Sequence, residues 1–110
     1  MGKRDVEALA GKILKVSAFG TAYTTVFTVD RYRLTNAPAI ELVMVDDGEL
    51  FCTLTCNIPG TILADNEILV KTWSENEEVA ECALASGLFK DTGKRVSTGF
   101  VQAQIWEVLL

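Results

Sequence analysis

The stretch IELVMVDDGELFCTLTCNI, residues 40–58, decides the fold. Two runs rich in aliphatic and β-branched residues flank Asp46, Asp47, Gly48 and Glu49, which is the composition of two strands joined by a tight turn. Asp47-Gly48 suits a two-residue type I′ turn because both central positions need positive φ. Val45 is then expected opposite Leu50 and Val43 opposite Cys52, and a four-residue loop gives the same pairing. In the second run Cys52, Leu54, Cys56 and Ile58 alternate with Phe51, Thr53, Thr55 and Asn57, so one face is expected in a core and the other against water.

Upstream, Val6, Leu9, Ala10 and Ile13 recur at helical spacing, which predicts a short helix or a frayed arm over residues 1–15. From Val16 to Leu34, aromatic and β-branched residues mix with threonines around Gly20, the composition of a long interrupted hairpin arm. Asn36-Ala37-Pro38 marks a turn, because proline fixes φ and biases its predecessor toward extended geometry.

Downstream, Pro59-Gly60 closes the strand, and Glu67 to Trp73 reads as another short strand after a bend at Asp65-Asn66. Ser74-Glu75-Asn76-Glu77 has the spacing of a capping box. Val79, Ala80, Ala83 and Leu84 would form the apolar side of the helix that follows, with Gly87 ending it in the left-handed region. Lys90 to Gly99 reads as turn-rich, and Phe100 to Leu110 as a terminal strand. The chain, residues 1–110, is therefore expected to be a single α+β domain, mainly antiparallel sheet with one or two helices packed on it.

Charge is distributed unevenly. Residues 41–81 carry ten carboxylates against Lys71, a balance of −9, while residues 1–40 hold +3 and 82–110 hold +1, which together give the net −5. Glu41, Asp65 and Glu67 aside, these acids fall on two elements. Asp46, Asp47 and Glu49 occupy the expected hairpin tip, and Glu75, Glu77, Glu78 and Glu81 the expected helix. On a helix, Glu77, Glu78 and Glu81 lie within about 100° of one another. Acids at a helix start favour the macrodipole and keep a protein soluble. They can also imitate a row of phosphates and occupy a basic nucleic-acid channel on another protein.

Several chemistries are disfavoured. The chain has no histidine, the usual general base near neutral pH and the commonest zinc ligand. Cys52, Cys56 and Cys82 form no Cys-x-x-Cys spacing and read as reduced, buried small hydrophobes, and the acids around Cys52 and Cys82 would raise their pKa rather than activate them. Gly93 to Gly99 contains the letters of a phosphate loop without its order or spacing. Asp46, Asp47 and Glu49 lack the acid ladder of a calcium loop, and no cofactor or metal is expected. Trp73 and Trp106 read as packing residues. Direct nucleic-acid binding is disfavoured by the scattered basic residues. No stretch reaches the roughly 20 apolar residues of a membrane span, and Glu7, Gly11, Lys12 and Lys15 interrupt any signal-peptide core, so a cytoplasmic protein is expected.

From Ile40 to Gly87 the chain resembles a group of short uncharacterised proteins carried by phages and conjugative elements, mostly of gut bacteria. The residues that carry the resemblance are Asp47-Gly48, Thr53, Thr55, Asn57, Pro59, Lys71, Trp73, the run Ser74 to Glu77 and Gly87, together with Gly93-Lys94-Arg95-Val96 and Gly99-Phe100. Residues 1–30 lie outside it, and Cys52 and Cys56 depart from it. The resemblance implies a mobile-element accessory protein and transfers no catalytic residue. By analogy with small acidic proteins of such elements, a non-enzymatic anti-defence inhibitor of the anti-CRISPR kind is expected. Its partner would be a host protein with a basic nucleic-acid-binding surface, such as a CRISPR effector, and a chain without catalytic residues suits a stoichiometric blocker. The alternatives are a homodimeric interaction module using the apolar face of its sheet, and an enzyme using carboxylates and a metal.

Overall fold

Each strand of the first sheet hydrogen-bonds to the next strand of the chain. A computed structural model describes residues 5–110, and in it β1 (Ile13–Ala18), β2 (Thr21–Arg31), β3 (Pro38–Met44) and β4 (Leu50–Thr53) form an antiparallel sheet in sequential order. The second sheet takes β5 (Glu67–Val70), β6 (Phe89–Thr98) and β7 (Val101–Val108) in the order β5-β7-β6, also antiparallel. Between β5 and β6 a 3-10 turn, Ser74–Asn76, leads into α1 (Glu77–Ala85). The architecture is the expected α+β one, mainly antiparallel sheet with one helix packed on it.

Burial alternates strictly in β1, where Leu14, Val16 and Ala18 point into the core, and Thr25, opposite Leu14, continues that face through β2 with Phe27 two residues on. Ile40 and Leu42 extend it through β3, and α1 lays Val79, Ala80 and Ala83 against it. The second sheet closes the same core with Ile68, Val70, Phe89, Trp106 and Val108. Phe89 links the two sheets, its ring centroid 5.7 Å from Phe27 and 5.5 Å from Trp106. Its truncation to alanine would cost about 3–5 kcal/mol, since it would open a cavity at this junction. The far side of the second sheet is covered too. Leu69, Ala103 and Ile105 pack there against Ile58, Leu63 and Trp73, which explains why all of β5 is buried.

The hairpin is present, but its register differs from the expected one. Val43 stands opposite Leu50 and Leu42 opposite Cys52, with a bulge between them. The loop is Val45 to Gly48, closed by Met44 N–H to Glu49 O at 2.8 Å and Gly48 N–H to Met44 O at 2.9 Å. Asp47 Oδ1 accepts the Glu49 amide at 3.0 Å, a local turn that competes with the type I′ geometry. The bulge accommodates Phe51, whose ring centroid lies 4.8 Å from that of Tyr23. A two-residue type I′ turn occurs instead at Phe19-Gly20, with φ of 54° and 76°, joining Ala18 to its partner Thr21.

The expected long strand to Ile58 is cut short, because the period of two fails where Leu54 and Thr55 are both buried. Leu54 N–H still donates to Ile40 O at 2.9 Å, but Thr55 already pairs with Val70, and Cys56 N–H donates to Leu69 O at 3.0 Å. The chain passes here from one sheet to the other, so Cys52 and Cys56 do not share a strand.

Three further expectations are corrected. Residues 6–9 form a single 3-10 turn with Val6 and Leu9 fully buried, Asp5 N–H is held by Leu110 O at 2.9 Å, and β1 begins at Ile13; residues 1–4 of the expected arm lie outside the described residues. The capping box does not form: Ser74 has φ of 57°, and neither helical segment has a side-chain cap. Asn76 is buried instead, its Nδ2 donating to Thr53 O at 2.9 Å. Lys90 to Thr98 is strand rather than turn, interrupted by a bulge between Asp91 and Arg95 around Gly93, at φ 86°. Gly87 does end the helix, at φ 82°.

Candidate functional site

Register brings two turns to one end of the four-stranded sheet. The Phe19-Gly20 turn joins β1 to β2 there, and Val45, the first residue of the β3–β4 loop, donates to Thr24 O at 3.1 Å near the same end of β2. The helix reaches this end too, since the Phe19 amide donates to Glu78 Oε2 at 3.0 Å and Cys82 Sγ lies 3.8 Å from Ser17 O. Its N-terminal side is tied to β4 through Asn76 and Thr53. It therefore crosses toward β1 and packs beside the edge of that strand that pairs with no other strand among the described residues.

Asp46, Asp47 and Glu49 at the loop and Glu75, Glu77, Glu78 and Glu81 on the helix are all exposed. Asp47 and Glu78 each accept a backbone amide and so have structural work. Glu77 sits in the first turn of α1, where a negative charge is favourable. Glu75 likewise lies in the first turn of the 3-10 segment, and among the described residues no such local role falls to Asp46, Glu49 or Glu81. Among the described residues, the ion pairs are Arg31–Glu7, Lys94–Glu67 and Arg95–Asp91, and none involves the seven acids.

The acids of the bend do not join this surface. Glu67 is buried, with Oε1 accepting the Ala64 amide at 2.8 Å and Oε2 2.7 Å from Lys94 Nζ. Burial works to raise its pKa, yet the Ala64 amide and the Lys94 ammonium together hold it below the ordinary glutamate value. Lys71, the cation of the acidic stretch, acts on Cys52 and Cys56. Burial outweighs it, pushing the Cys52 thiol up to about 11 and raising Cys56 as well, so both sulfurs stay protonated near neutral pH.

Phe19 was not singled out by its sequence pattern. It is 61 % exposed and held at positive φ, a region costly for an aromatic residue, where its own amide meets the Glu78 carboxylate. Its signal in the sequence is Phe19-Gly20 between two β-rich runs, the spacing of a two-residue hairpin.

A cavity of about 530 Å³ lies at the opposite end of the sheet, beside Arg31 and Pro38. Asp5, Arg31, Asn57 and Asp65 give it mixed polarity, and the Thr61 hydroxyl is buried without a partner among the described residues. Arg31 is engaged by Glu7 at 2.9 Å, and the lining contains no nucleophile paired with a base. Among the described residues no group of three or more acidic or cysteine side chains converges as a metal site, and no helix is long and apolar enough to cross a membrane. Comparison of the chain with protein-family models, with curated proteins and with solved structures found no match in any of the three.

Proposed function

We propose that this chain is a non-enzymatic accessory protein of a mobile genetic element, an anti-defence inhibitor of the anti-CRISPR kind that acts in the cytoplasm. It binds a basic, nucleic-acid-binding surface of a host effector through the acidic end formed by the β3–β4 loop and α1. The observation that carries this reading is the set of seven exposed carboxylates without an ion-pair partner among the described residues, several of them with no local structural role. A channel that holds nucleic acid presents lysines and arginines spaced to meet phosphates, and a fixed array of carboxylates competes for the same cations. Phe19 supplies an exposed aromatic anchor beside Glu78 of that array.

The test is binding to purified CRISPR effectors across a salt series, alongside inhibition of target cleavage. Affinity is expected to fall steeply with salt, and Glu77→Lys, Glu78→Lys and Glu81→Lys together should abolish binding. Affinity independent of salt and of these charge reversals overturns the reading.

A further inference from the structure

The cavity of about 530 Å³ beside Arg31 and Pro38 lies at the end of β2 opposite the Phe19-Gly20 turn. Its volume is that of a ligand pocket, and its walls come from Asp5, the β2–β3 connection, the loop that follows Cys56, and β5. Part of the lining is apolar: Ile58, Leu63 and Leu69 of the second core cluster all reach it. The loop wall is fixed from behind, because the Ala64 amide is held by Glu67 and Glu67 by Lys94.

The polar part of the lining has hydrogen-bonding capacity left over. The Thr35 hydroxyl oxygen takes the Ala37 amide at 3.3 Å, so its own hydrogen goes to Asn57 Oδ1 at 2.8 Å. That bond sets the orientation of the Asn57 amide and leaves both N–H donors of Nδ2 without an acceptor among the described residues. The Thr61 hydroxyl, from the same loop, is buried and also lacks a partner among the described residues, an arrangement that costs free energy until something fills it. Asp5 accepts the Glu7 amide through Oδ1, which leaves Oδ2 as an acceptor. An occupant therefore needs a carbonyl for Asn57 and Thr61, an N–H for Asp5 and an apolar group for Ile58, Leu63 and Leu69. Charge narrows the choice. Asp5 and Asp65 line the cavity against Arg31, whose guanidinium is already paired with Glu7 at 2.9 Å, so a phosphate or carboxylate is disfavoured. A peptide group beside an apolar side chain meets every requirement. Ile62, in the lining, and Leu34, next to Thr35, are 91 % and 92 % exposed, which suits a chain that runs on past the cavity and covers them.

We propose that this cavity takes a short extended segment of a partner protein. One aliphatic or aromatic side chain of the segment rests on Ile58, Leu63 and Leu69, while Asn57, Thr61 and Asp5 hold the adjoining peptide groups. The lining has no nucleophile paired with a base, so the segment is held and not cut. The proposal is independent of what the acidic end binds.

Titration of the full chain with N-acetyl-leucine methylamide, followed by amide NMR, tests it. Saturable shifts are expected at Thr61, Leu69 and the Asn57 side-chain amide, with a dissociation constant on the order of millimolar for so small a probe. N-acetyl-glycine methylamide, which lacks the apolar side chain, should bind at least about tenfold more weakly. Asn57→Asp keeps the acceptor for Thr35 and removes the donors, and should weaken the leucine probe at least about fivefold. Thr61→Val should weaken it too without lowering the melting temperature, since its hydroxyl bonds nothing among the described residues. No shift up to about 50 mM probe overturns the site. Shifts with uridine or inorganic phosphate but not with the leucine probe overturn the peptide assignment, and an affinity unchanged in both variants overturns the contacts.

Discussion

The Thr55 hydroxyl accepts the Ile40 amide at 2.9 Å, at the point where the chain leaves β4 for the second sheet. Both groups are buried, and the Tyr32 hydroxyl lies 3.2 Å from the same oxygen. A side chain thus supplies an acceptor for a β3 amide beyond the last residue of β4. Thr55→Val keeps the shape and removes the acceptor, and urea denaturation should register a loss of about 1–3 kcal/mol. Thr55→Ser should retain most of the stability; equal losses in the two variants would locate the effect in packing instead.

Phe19 at φ 54° is a strained position relieved by a residue that tolerates the left-handed region. Phe19→Asn should raise the stability by about 1 kcal/mol in thermal or urea unfolding. If the aromatic ring is an anchor for the partner, the same substitution should weaken binding. Opposite signs in stability and affinity are the expected signature of strain retained for contact.

Acid should find Glu67. Its folded pKa is below the unfolded value, so its ionised form stabilises the fold above about pH 4.3, and that contribution is lost as pH falls through the folded value. Melting temperature measured downward from pH 6 should drop more steeply for the natural chain than for Glu67→Gln. Lys94→Met should cost about 1 kcal/mol at pH 7, a modest figure because the Lys94 side chain is 55 % exposed.

Thiol labelling at pH 8 should separate native from unfolded protein. With its pKa pushed up to about 11, Cys52 is thiolate in on the order of one molecule in a thousand at that pH. Cys52 and Cys56 should therefore react slowly with a disulfide reagent until denaturant is added. Rapid native labelling of both would show that burial does not control them.

Where local rules and tertiary contacts agree, the sequence was a sufficient guide. The hairpin around Gly48, the helix stripe of Val79, Ala80 and Ala83, its end at Gly87 and the strand to Val108 are of this kind. The exposure of the seven acids was legible for the same reason, since the caps and tips of elements face water. Register was not legible, because Phe51 is accommodated by a bulge against Tyr23, a residue far away in the chain. The capping box failed because Asn76 turns to Thr53 in another element. Residues 89–98 are polar and glycine-broken, and become a strand through pairing with β7. Glu67 looked like one more surface acid until Lys94, across the fold, was placed beside it.

The sheet orders have a consequence for synthesis. β1 to β4 pair in sequence, so the first sheet can zip up hairpin by hairpin as it emerges from the ribosome. β7 lies between β5 and β6, and the second sheet has no middle until residues 101–108 have emerged. In that interval Ile68, Val70 and Phe89 still lack Trp106, leaving an apolar nascent surface that invites chaperone capture or aggregation.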